Sequence, residues 1–468
     1  MAQLPVPGRP GAEPGLTDGS AFTVTGLPDA PRRVLAALAE AGHEAVLVGG
    51  CLRDLLLGDR PDDWDVATSA RPETVAALFP GSVWENRFGT VLVPGPEPVE
   101  ITTYRSESGY TDRRRPDAVT FHGSLTDDLA RRDFTINAVA WVPDADGGSG
   151  GTLVDPHGGL DDLAAGIIRA VGLPADRFAE DALRVLRGVR FGLRFGFETD
   201  AATEAALRGA VPDTAGLSAE RVRDELVRLL GDPRIQPSTA LRRWEEIGLL
   251  AIVLPELARL RGVRQSKPRG GDALDHSLWT VDALPANDPM LRLAGLLHDI
   301  GKADTASGGH FIGHEVSGAR QAEDAMQRLR IGGRDIARVR HLVRQHMFAY
   351  DASWTDAAVR RFIRRVGEAA LHDLFTLREA DDAASGSAEP PVGGLNELRA
   401  RIAAQGAAPI RTGHLALTGH DLQSELGLEP GPRIGELLAA LLEEVIEDPS
   451  RNERETLLAL ARERIARR

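Results

Sequence analysis

Apolar and polar positions follow two different periods along the first third of the chain. Apolar residues recur at Val34, Leu35 and Leu38, and this spacing predicts a helix over residues 31–41. Residues 44–50 contain an apolar run that ends in two glycines, which predicts a buried strand followed by a turn. By the same criteria we predict helices at 51–57, 71–79 and 127–138, and strands at 64–68, 89–93 and 99–104. This mixture indicates an α/β unit with a small mixed sheet.

The pattern changes at Pro174, after which helical periodicity dominates to the C-terminus. Residues 105–121 are rich in charge and have no apolar period, so we predict a mobile loop there. A stretch rich in Gly, Ser and Pro predicts a linker at 383–394. We therefore expect an α+β fold in five segments: a flexible leader (1–28), a mixed-sheet head (29–170), a helical neck (171–260), a second helical domain (261–385) and a helical tail (386–468).

Length and composition limit the classes of protein that fit. The chain has 468 residues, too many for one hydrophobic core. Its single cysteine, Cys51, excludes an intrachain disulfide and fits a reducing cytoplasm. The N-terminus lacks a signal-peptide pattern, and no apolar run is long enough to cross a bilayer, so we expect a cytoplasmic protein without a membrane partner. The net charge of −14 disfavours nonspecific nucleic-acid binding but is compatible with a local basic groove.

Two carboxylates stand at alternate positions near a glycine pair. Asp63 and Asp65 lie two apart on a predicted strand, so both should face one side, and Glu100 on a neighbouring strand is a third candidate. Carboxylates on one rigid face suit Mg²⁺ and two-metal nucleotidyl transfer. Gly49 and Gly50, between a strand and a helix, let backbone amides approach a phosphate. On spacing alone, a solvated acidic turn explains the aspartates better; the glycines nearby favour the phosphate site.

The stretch "VGGCLRDLLLG…DDWDVATSA" resembles the nucleotidyltransferase head of class II CCA-adding enzymes, which are tRNA nucleotidyltransferases akin to bacterial poly(A) polymerases. "RRDFTINA" (131–138) resembles the ribose-recognition motif of that family, and "EDALRVLR" (180–187) its nucleotide-selection motif. The resemblance covers residues 36–197 strongly and the helical remainder more loosely. It implies template-independent addition of CCA to the 3′ end of tRNA from CTP and ATP, with Mg²⁺ as cofactor and pyrophosphate as product.

The resemblance also assigns roles to individual residues. Asp63 and Asp65 would hold the metal, and Glu100 matches a further family carboxylate. The nucleotide-binding roles fall on Gly49, Gly50 and Arg53 for the triphosphate, Asp133 for the ribose 2′-OH, and Asp181 and Arg184 for the base. The residues themselves add three candidates: Arg132 for the triphosphate, Asn137 for the turn or a phosphate, and Arg187 for phosphate, with a solvated surface as the alternative for Arg187.

The pair Asp181 and Arg184 has a physical logic of its own. The two residues are three apart, so on a continuous helix they share a face. A carboxylate accepts from the exocyclic amine that C and A both carry, and an arginine donates to the adjacent ring acceptor. Such a pair accepts CTP and ATP and rejects G and U. The alternative is a salt bridge of Arg184 with Glu180 or Asp181 within the helix, which the spacing alone favours.

Two basic segments bear on tRNA. CC-adding members of the family lack a flexible loop that this chain keeps at 105–119 with Arg113–Arg115, which favours CCA or terminal-A addition; a basic surface loop is the alternative. In the neck, Arg221, Arg223 and Arg228 are candidate contacts for tRNA phosphates, with a salt-bridged surface as the alternative for each.

A second set of metal-ligand residues lies in the helical half. "LLHDIGK" contains His298 and Asp299, with His276 upstream and Asp381 downstream, and this order resembles the HD phosphohydrolase superfamily. Such a set suits a divalent transition metal. His314 and His346 would extend it toward a second metal ion. The resemblance implies metal binding and leaves phosphohydrolase activity open, because such sites also persist as scaffolds.

Three other functions compete with CCA addition. The first is a poly(A) polymerase or an A-adding tRNA nucleotidyltransferase, which would incorporate no C. The second is an HD-type metal-dependent phosphohydrolase whose head only grips RNA, for which His298 and Asp299 matter more than Asp63. The third is a noncatalytic RNA-binding protein, which needs neither the acidic pair nor the selection motif.

Overall fold

The computed structural model describes residues 16–84, 89–108, 118–120, 123–145, 148–386, 394–406 and 408–466. The chain forms two compact units, Met1–Val253 and Leu254–Arg468. The finer five-segment division stays a prediction. Three predicted features lie wholly or partly outside the described residues: the first part of the leader, Arg113–Arg115 of the loop, and residues 387–393 of the linker. Among the residues described, no helix has both the length and the hydropathy needed to cross a membrane.

A mixed sheet organises the first unit. Its strands are β1 (Ala21–Thr23), β2 (Ala45–Val48), β3 (Trp64–Thr68), β4 (Val83–Trp84), β5 (Thr90–Val93), β6 (Val99–Thr103), β9 (Ala140–Pro143) and β10 (Gly150–Val154). Two separate pairs are β7 (Ser106–Ser108) with β8 (Ala118–Thr120) and β11 (Ile167–Ile168) with β12 (Glu198–Thr199). The large sheet has the order β1-β10-β9-β2-β3-β6-β5-β4, in which β3 and β6 are parallel and the other described pairs are antiparallel.

The predicted flexible leader is wrong for its last residues. β1 pairs with β10 in the register Ala21↔Thr152, and Val24 and Leu27 after it are buried. The short strand covers the edge of β10, which would otherwise present unpaired backbone groups. Three residues are too few to show a period of two, and this is why the sequence pattern missed the strand.

Eleven helices of the described residues belong to the first unit. They are α1 (Asp29–Glu40), α2 (Gly50–Leu56), α3 (Pro72–Leu78), α4 (Leu125–Ala130), α5 (Gly159–Ala165), α6 (Pro174–Glu180), α7 (Leu183–Phe195), α8 (Ala201–Ala210), α9 (Ala219–Gly231), α10 (Pro237–Glu246) and α11 (Leu249–Val253). Every residue of β2 is buried, and its neighbours β3 and β9 share the core of the unit. The turn after β2 is therefore held on a rigid base.

The helix predicted over 127–138 is wrong in its second half. A capping box of Ser124 and Asp127 starts α4, but the helix ends at Ala130. The chain then turns and forms a single 3-10 turn at Thr135–Asn137. The carboxylate of Asp133 accepts hydrogen bonds from the Phe134 backbone amide at 2.8 Å and from the Asn137 side chain at 3.0 Å. These local bonds compete with the helix for the same backbone.

The second unit is helical throughout the described residues, which confirms the α+β class. Its helices are α12 (Pro255–Ala258), α13 (Ala273–Asp282), α14 (Pro289–Leu297), α15 (Lys302–Thr305), α16 (His314–Arg328), α17 (Gly333–Gln345), α18 (Asp356–Val366), α19 (Glu368–Ser385), α20 (Leu395–Gln405), α21 (Gly419–Leu426), α22 (Pro432–Glu447) and α23 (Arg454–Ala466). The predicted linker begins inside α19. A separate core of leucine, isoleucine and valine side chains joins the last three helices.

Candidate functional site

Three carboxylates gather at one end of β3 and β6. Asp65 and Glu100 lie opposite each other in the parallel register of the two strands, so their side chains share a face of the sheet. Asp63 is exposed and comes just before β3, which corrects the prediction that both aspartates lie on the strand. Burial and the negative charge of Asp63 raise the pKa of Asp65 to about 7. The carboxylates therefore crowd their negative charges where a cation would relieve them.

The glycine turn after β2 rests directly on this acidic edge. Gly49 has a φ of 75°, and a Cβ placed there would stand 2.7 Å from Nη1 of Arg132 and 3.2 Å from Oδ2 of Asp65. The backbone conformation favours glycine, and any larger residue would also require the Arg132 side chain to shift. Gly50 is less constrained, because its Cβ would meet Arg53 only at an ordinary 3.6 Å. The structure thus brings a predicted phosphate turn, a predicted metal ligand and a predicted triphosphate contact together.

Four predicted nucleotide-binding side chains form one row of hydrogen bonds. Arg53 Nη1 donates to Asn137 Oδ1 at 2.6 Å, Asn137 Nδ2 donates to Asp133 Oδ1 at 3.0 Å, and Arg187 Nε donates to Asp133 Oδ2 at 2.8 Å. Burial alone would raise the pKa of Asp133, but the Arg187 charge and the Asn137 hydrogen bond outweigh it and hold that pKa well below its usual range. Asp133 is therefore a fixed anion at neutral pH.

Arg53 is enclosed at one end of this row. Its side chain is only 5% exposed, donates to Asp54 at 2.9 and 2.6 Å, and lies over the ring of Phe195 with its guanidinium carbon 4.7 Å from the centroid. A guanidinium held in this way supports the helix after the glycine turn. Direct contact with a triphosphate stays a prediction for this residue.

Asp128 was not among the predicted site residues. This aspartate on α4 is fully buried and holds Arg131 at 2.5 Å and Arg132 at 3.1 Å. Burial raises the pKa of Asp128, but the two arginine charges exceed that effect and the net pKa is lowered. Arg132 keeps one buried nitrogen, Nε, without a hydrogen-bond partner. The signal was present in "DDLARRD", since the two arginines follow Asp128 at the helical spacings of three and four.

The prediction that Asp181 and Arg184 share a helix face is wrong. Helix α6 ends at Glu180, and Asp181 has extended backbone angles of −150° and 101°. Its carboxylate accepts from the Leu183 amide at 3.0 Å, a local bond two residues along the chain in the turn that leads into α7. Arg184 donates to Glu180 Oε2 at 2.8 Å, the salt bridge that the spacing alone favoured. Tertiary contacts, rather than one helix, set the positions of these two side chains.

Asp181 is instead paired with an arginine of the neck. Arg221 on α9 donates to both carboxylate oxygens, at 3.1 and 2.5 Å. Arg223 and Arg228 are salt-bridged as well, to Asp224 at 2.8 Å and to Glu225 at 3.2 Å. All three arginines therefore match the salt-bridged alternative, and a contact with tRNA stays a prediction for each.

Glu225, a second residue beside the site, was not predicted either. It is 2% exposed and accepts from Arg190 Nε at 2.7 Å, with Arg187 Nη1 at 3.7 Å. Glu225 thus links α9 to α7 beside the row that ends at Arg187. Within the sequence it is one acidic residue in the charged stretch "RVRDELVR", and nothing there distinguishes it from its exposed neighbours.

The second unit brings together all six predicted metal-ligand residues. This histidine–aspartate cluster consists of His276 on α13, His298 and Asp299 after α14, His314 on α16, His346 after α17 and Asp381 on α19. Asp299 lies at its centre: Oδ2 is 3.1 Å from His298 Nε2, and Oδ1 is 3.3 Å from His314 Nε2 and 3.7 Å from His346 Nε2. Asp381 Oδ1 is 2.8 Å from His276 Nε2.

Backbone contacts fix the tautomers of three of these histidines. Nδ1 of His298, His314 and His346 lies 2.7 Å from a carbonyl oxygen three residues earlier in the chain. A carbonyl oxygen only accepts, so Nδ1 carries a proton, and in the neutral ring Nε2 presents the lone pair. Nε2 of His298 is buried and has no hydrogen-bond partner. These residues fit a divalent metal ion, because neutral imidazole and carboxylate are its usual ligands.

Comparison with known proteins agrees with this architecture. Residues 45–169 match the family described as Poly A polymerase head domain, 196–260 a probable RNA and SrmB-binding site of polymerase A, and 313–461 a putative tRNA nucleotidyltransferase domain 2. The chain is 35% identical over 424 residues to an A-adding tRNA nucleotidyltransferase of Deinococcus radiodurans, covering 85% of this chain and 91% of that one. It is 33% identical to a CCA-adding enzyme of Limosilactobacillus fermentum, covering 92% and 96%.

A solved structure of the same kind has the same fold. The CCA-adding enzyme of Bacillus stearothermophilus in complex with CTP superposes with a TM-score of 0.68 at 29% identity, over 94% of this chain and 98% of that one. A mixed-sheet head with an acidic edge and a glycine turn is typical of a nucleotidyltransferase. The relatives that align along most of the chain narrow this class to the tRNA nucleotidyltransferases. The chain belongs to the family of tRNA nucleotidyltransferases that contains the CCA-adding enzymes.

Proposed function

We propose that this chain adds CCA to the 3′ end of tRNA, using CTP and then ATP and releasing pyrophosphate. The observation that carries the proposal is the closeness of the Gly49 turn to Asp65 and Arg132, since a Cβ at Gly49 would stand 3.2 Å from Asp65 Oδ2 and 2.7 Å from Arg132 Nη1. This arrangement places a backbone turn able to approach phosphates, an acidic edge and a cation at one point. Relatives that align along nearly the whole chain are named CCA-adding enzymes, and one was solved with CTP.

The acidic edge is the proposed Mg²⁺ site. Asp63, Asp65 and Glu100 supply hard oxygen ligands, and the raised pKa of Asp65, at about 7, reflects burial and negative charge that a divalent cation would offset. Bound Mg²⁺ supplies neutralisation of the charge on the triphosphate. Arg132 adds a fixed positive charge beside the turn, since Asp128 holds it in place.

The remaining residues select the nucleotide in this proposal. Asp133 is the acceptor for the ribose 2′-OH, and Arg187 and Asn137 hold its carboxylate ionised and oriented. Asp181 and Arg184 present an acceptor and donors to the base. No nucleic-acid template enters the site, so these side chains alone distinguish C and A from G and U.

A-addition alone is the second candidate. It is favoured by the 35% identity to a relative named A-adding tRNA nucleotidyltransferase. The basic residues Arg113–Arg115, which pointed to CCA or terminal-A addition, lie outside the described residues.

Nucleotide incorporation separates these candidates. The full-length protein is given CTP or ATP, one at a time, with tRNA lacking CCA, tRNA ending in C and tRNA ending in CC. We expect CTP to extend the first two substrates and ATP to extend only the third, by one residue. Extension of the third substrate alone identifies an A-adding enzyme and rejects CCA addition. Long A tails on any substrate identify a poly(A) polymerase.

Asp65→Asn provides the matched control for that assay. The change keeps the size of the side chain and removes its charge, so we expect loss of addition with unchanged tRNA binding and folding. Retained full activity in this variant would remove the acidic edge from the mechanism.

We further propose that the histidine–aspartate cluster binds a divalent transition metal and carries a phosphohydrolase activity. The supporting observation is that Nε2 of His298, His314 and His346 lies 3.1, 3.3 and 3.7 Å from the carboxylate of Asp299, while a carbonyl oxygen holds Nδ1 of each ring. A bound cation of this kind supplies Lewis-acid polarisation of a phosphoryl oxygen. The neutral state of His276, whose pKa burial lowers to about 4, fits a ligand at pH 7.

The effects of His298→Ala and Asp65→Asn on hydrolysis test this second activity. Hydrolysis is measured on Co²⁺- or Ni²⁺-loaded protein, as the opening of nucleoside 2′,3′-cyclic phosphates to phosphomonoesters and as the release of phosphate from nucleotides. We expect His298→Ala to abolish this hydrolysis and Asp65→Asn to leave it intact. Absence of both reactions in the metal-loaded wild type rejects the phosphohydrolase and leaves a metal-binding scaffold.

A further inference from the structure

The two lysines of this chain have an unusual location. Of its 55 lysine and arginine residues, only Lys267 and Lys302 are lysines. Both end on the histidine–aspartate cluster: Lys302 Nζ lies 2.6 Å from Asp299 Oδ2, and Lys267 Nζ lies 2.6 Å from His276 Nε2. Arginine serves at every other basic position. Lysine differs from arginine in carrying a compact ammonium group on a flexible stem. At both positions the side chain therefore places a point charge against the cluster, which a planar guanidinium cannot do in the same way.

Lys267 stands among atoms that would bind a metal. Its ammonium touches His276 Nε2 and, at 3.0 Å, Asp381 Oδ1. These two atoms are 2.8 Å apart, and with His298 they form one group suited to a metal ion. A divalent cation held by the same atoms would stand beside the ammonium. Two positive charges at such a separation in a buried site repel strongly.

The two lysines differ in how easily their side chains can move away from the histidine–aspartate cluster. Lys302 is 8% exposed and is held by Gln265 Oε1 at 2.9 Å as well as by Asp299. Lys267 is 21% exposed, and within the described residues its ammonium contacts only the cluster. Its side chain can therefore turn from the cluster toward solvent.

The backbone that carries Lys267 is fixed on both sides. Arg264 and Asp272 pair across the base of the segment, and the Arg269 amide donates to the Ser385 carbonyl at 3.0 Å. The guanidinium of Arg269 also lies over Trp279, 4.1 Å from the ring centroid. Movement of the side chain, rather than opening of the segment, is thus the route by which the ammonium leaves.

We propose that Lys267 is a resident counter-cation of the His276–Asp381 half of the cluster, and that a divalent metal ion binds there only as the ammonium withdraws. The inference rests on the proposed metal binding by the cluster. Lys267 keeps Asp381 neutralised in the metal-free chain and sets a threshold of metal concentration. Lys302 stays in place and neutralises Asp299 in both states.

Metal titration of the full-length protein tests this role. Chelator-treated protein carrying Asp63→Asn and Asp65→Asn, which silence the head, is titrated with Co²⁺ and followed by calorimetry and visible absorption. We expect Lys267→Met to bind Co²⁺ more tightly by at least about tenfold, because a positive charge next to the ion is removed. Lys267→Arg keeps the charge and should bind no more tightly than wild type. Arg269→Met, on the same segment without a cluster contact, should match wild type.

The outcomes separate the two proposals. Wild type and Lys267→Met with equal affinities, or a weaker Lys267→Met, overturn the role of Lys267 and leave the metal site standing. Tighter binding by Lys267→Arg overturns the charge-based cause. No Co²⁺ binding by any variant overturns the metal site itself. His298→Ala in the Lys267→Met protein should abolish binding and the absorption band, and binding that survives it places the ion elsewhere and overturns both.

Discussion

Arg221 holds the carboxylate of Asp181 through both terminal guanidinium nitrogens, at 3.1 and 2.5 Å. The proposed base acceptor is therefore oriented by helix α9, forty residues further along the chain. A bidentate pair of this kind fixes direction as well as distance. Selection of the base in the proposed site thus depends on the packing of α9 against the α6–α7 junction.

Arg221→Ala should release Asp181 and weaken the use of CTP and ATP alike. We expect kcat/KM for both nucleotides to fall by about tenfold, which corresponds to roughly 1.4 kcal/mol of transition-state stabilisation. Single-nucleotide incorporation measures the effect. Arg223→Ala on the same helix removes a pair with the exposed Asp224 and is the control; at saturating tRNA it should leave kcat/KM for both nucleotides unchanged. Equal activities of the two variants would contradict the orienting role of Arg221.

Gly49→Ala should damage both the turn and the site. The residue has a φ of 75° and its new Cβ would meet Arg132 at 2.7 Å, so we expect a loss of about 1–3 kcal/mol in unfolding free energy together with lower kcat/KM. Gly58→Ala is the matched control, since Gly58 has a φ of 73° with no atom within 4 Å of the new Cβ. Denaturant unfolding and incorporation kinetics give the two readouts. If Gly49→Ala loses no more unfolding free energy and no more kcat/KM than Gly58→Ala, the Arg132 side chain moves aside without cost and the prediction is wrong.

Asp128→Asn should displace the two arginines that precede Asp133. The buried carboxylate balances Arg131 and Arg132, so its loss should raise KM for nucleotides and lower stability by about 3–5 kcal/mol. Asp127→Asn, next to it, disturbs only the capping box of α4 and should leave KM unchanged. Matching KM values in the two variants would remove Asp128 from the site.

Glu225 should make the stability of the first unit depend on pH. Burial raises its pKa, but the charges of Arg190 and Arg187 exceed that effect and the net pKa lies below the usual 4.5. A depressed pKa contributes stability that is fully present above the unfolded value and is lost as pH falls through the folded value. Wild type should therefore lose unfolding free energy below about pH 4.5 in excess of Glu225→Gln.

Glu225→Gln itself should be less stable than wild type at pH 7 by about 3–5 kcal/mol, because Arg190 stays buried without its counter-charge. Burial lowers the pKa of Arg190 even though the negative charge of Glu225 opposes this effect. The buried guanidinium charge therefore destabilises the fold when Glu225 no longer balances it. The exposed Glu246→Gln should change stability by less than about 1 kcal/mol. Parallel pH profiles for wild type and Glu225→Gln would refute the assignment.

Local sequence determined much of this protein. The alternation over Trp64–Thr68 predicted β3 at its observed bounds, and the Gly-Gly step predicted the start of α2 to within one residue. The order of His276, His298, Asp299 and Asp381 predicted a cluster that the structure assembles. These features succeed because periodicity and turn chemistry act within a few residues of the chain.

Only the tertiary structure decided which charges meet. Asp181 and Arg184 were expected to share one helix. Instead α6 ends at Glu180, and the carboxylate of Asp181 accepts hydrogen bonds from the Leu183 amide and from Arg221. Glu225 and Lys267 carried no signal, since their partners lie 35 and 114 residues away in the chain, at Arg190 and Asp381. Coulomb energy depends on distance in space and on burial, and neither is written in the spacing of residues along a sequence.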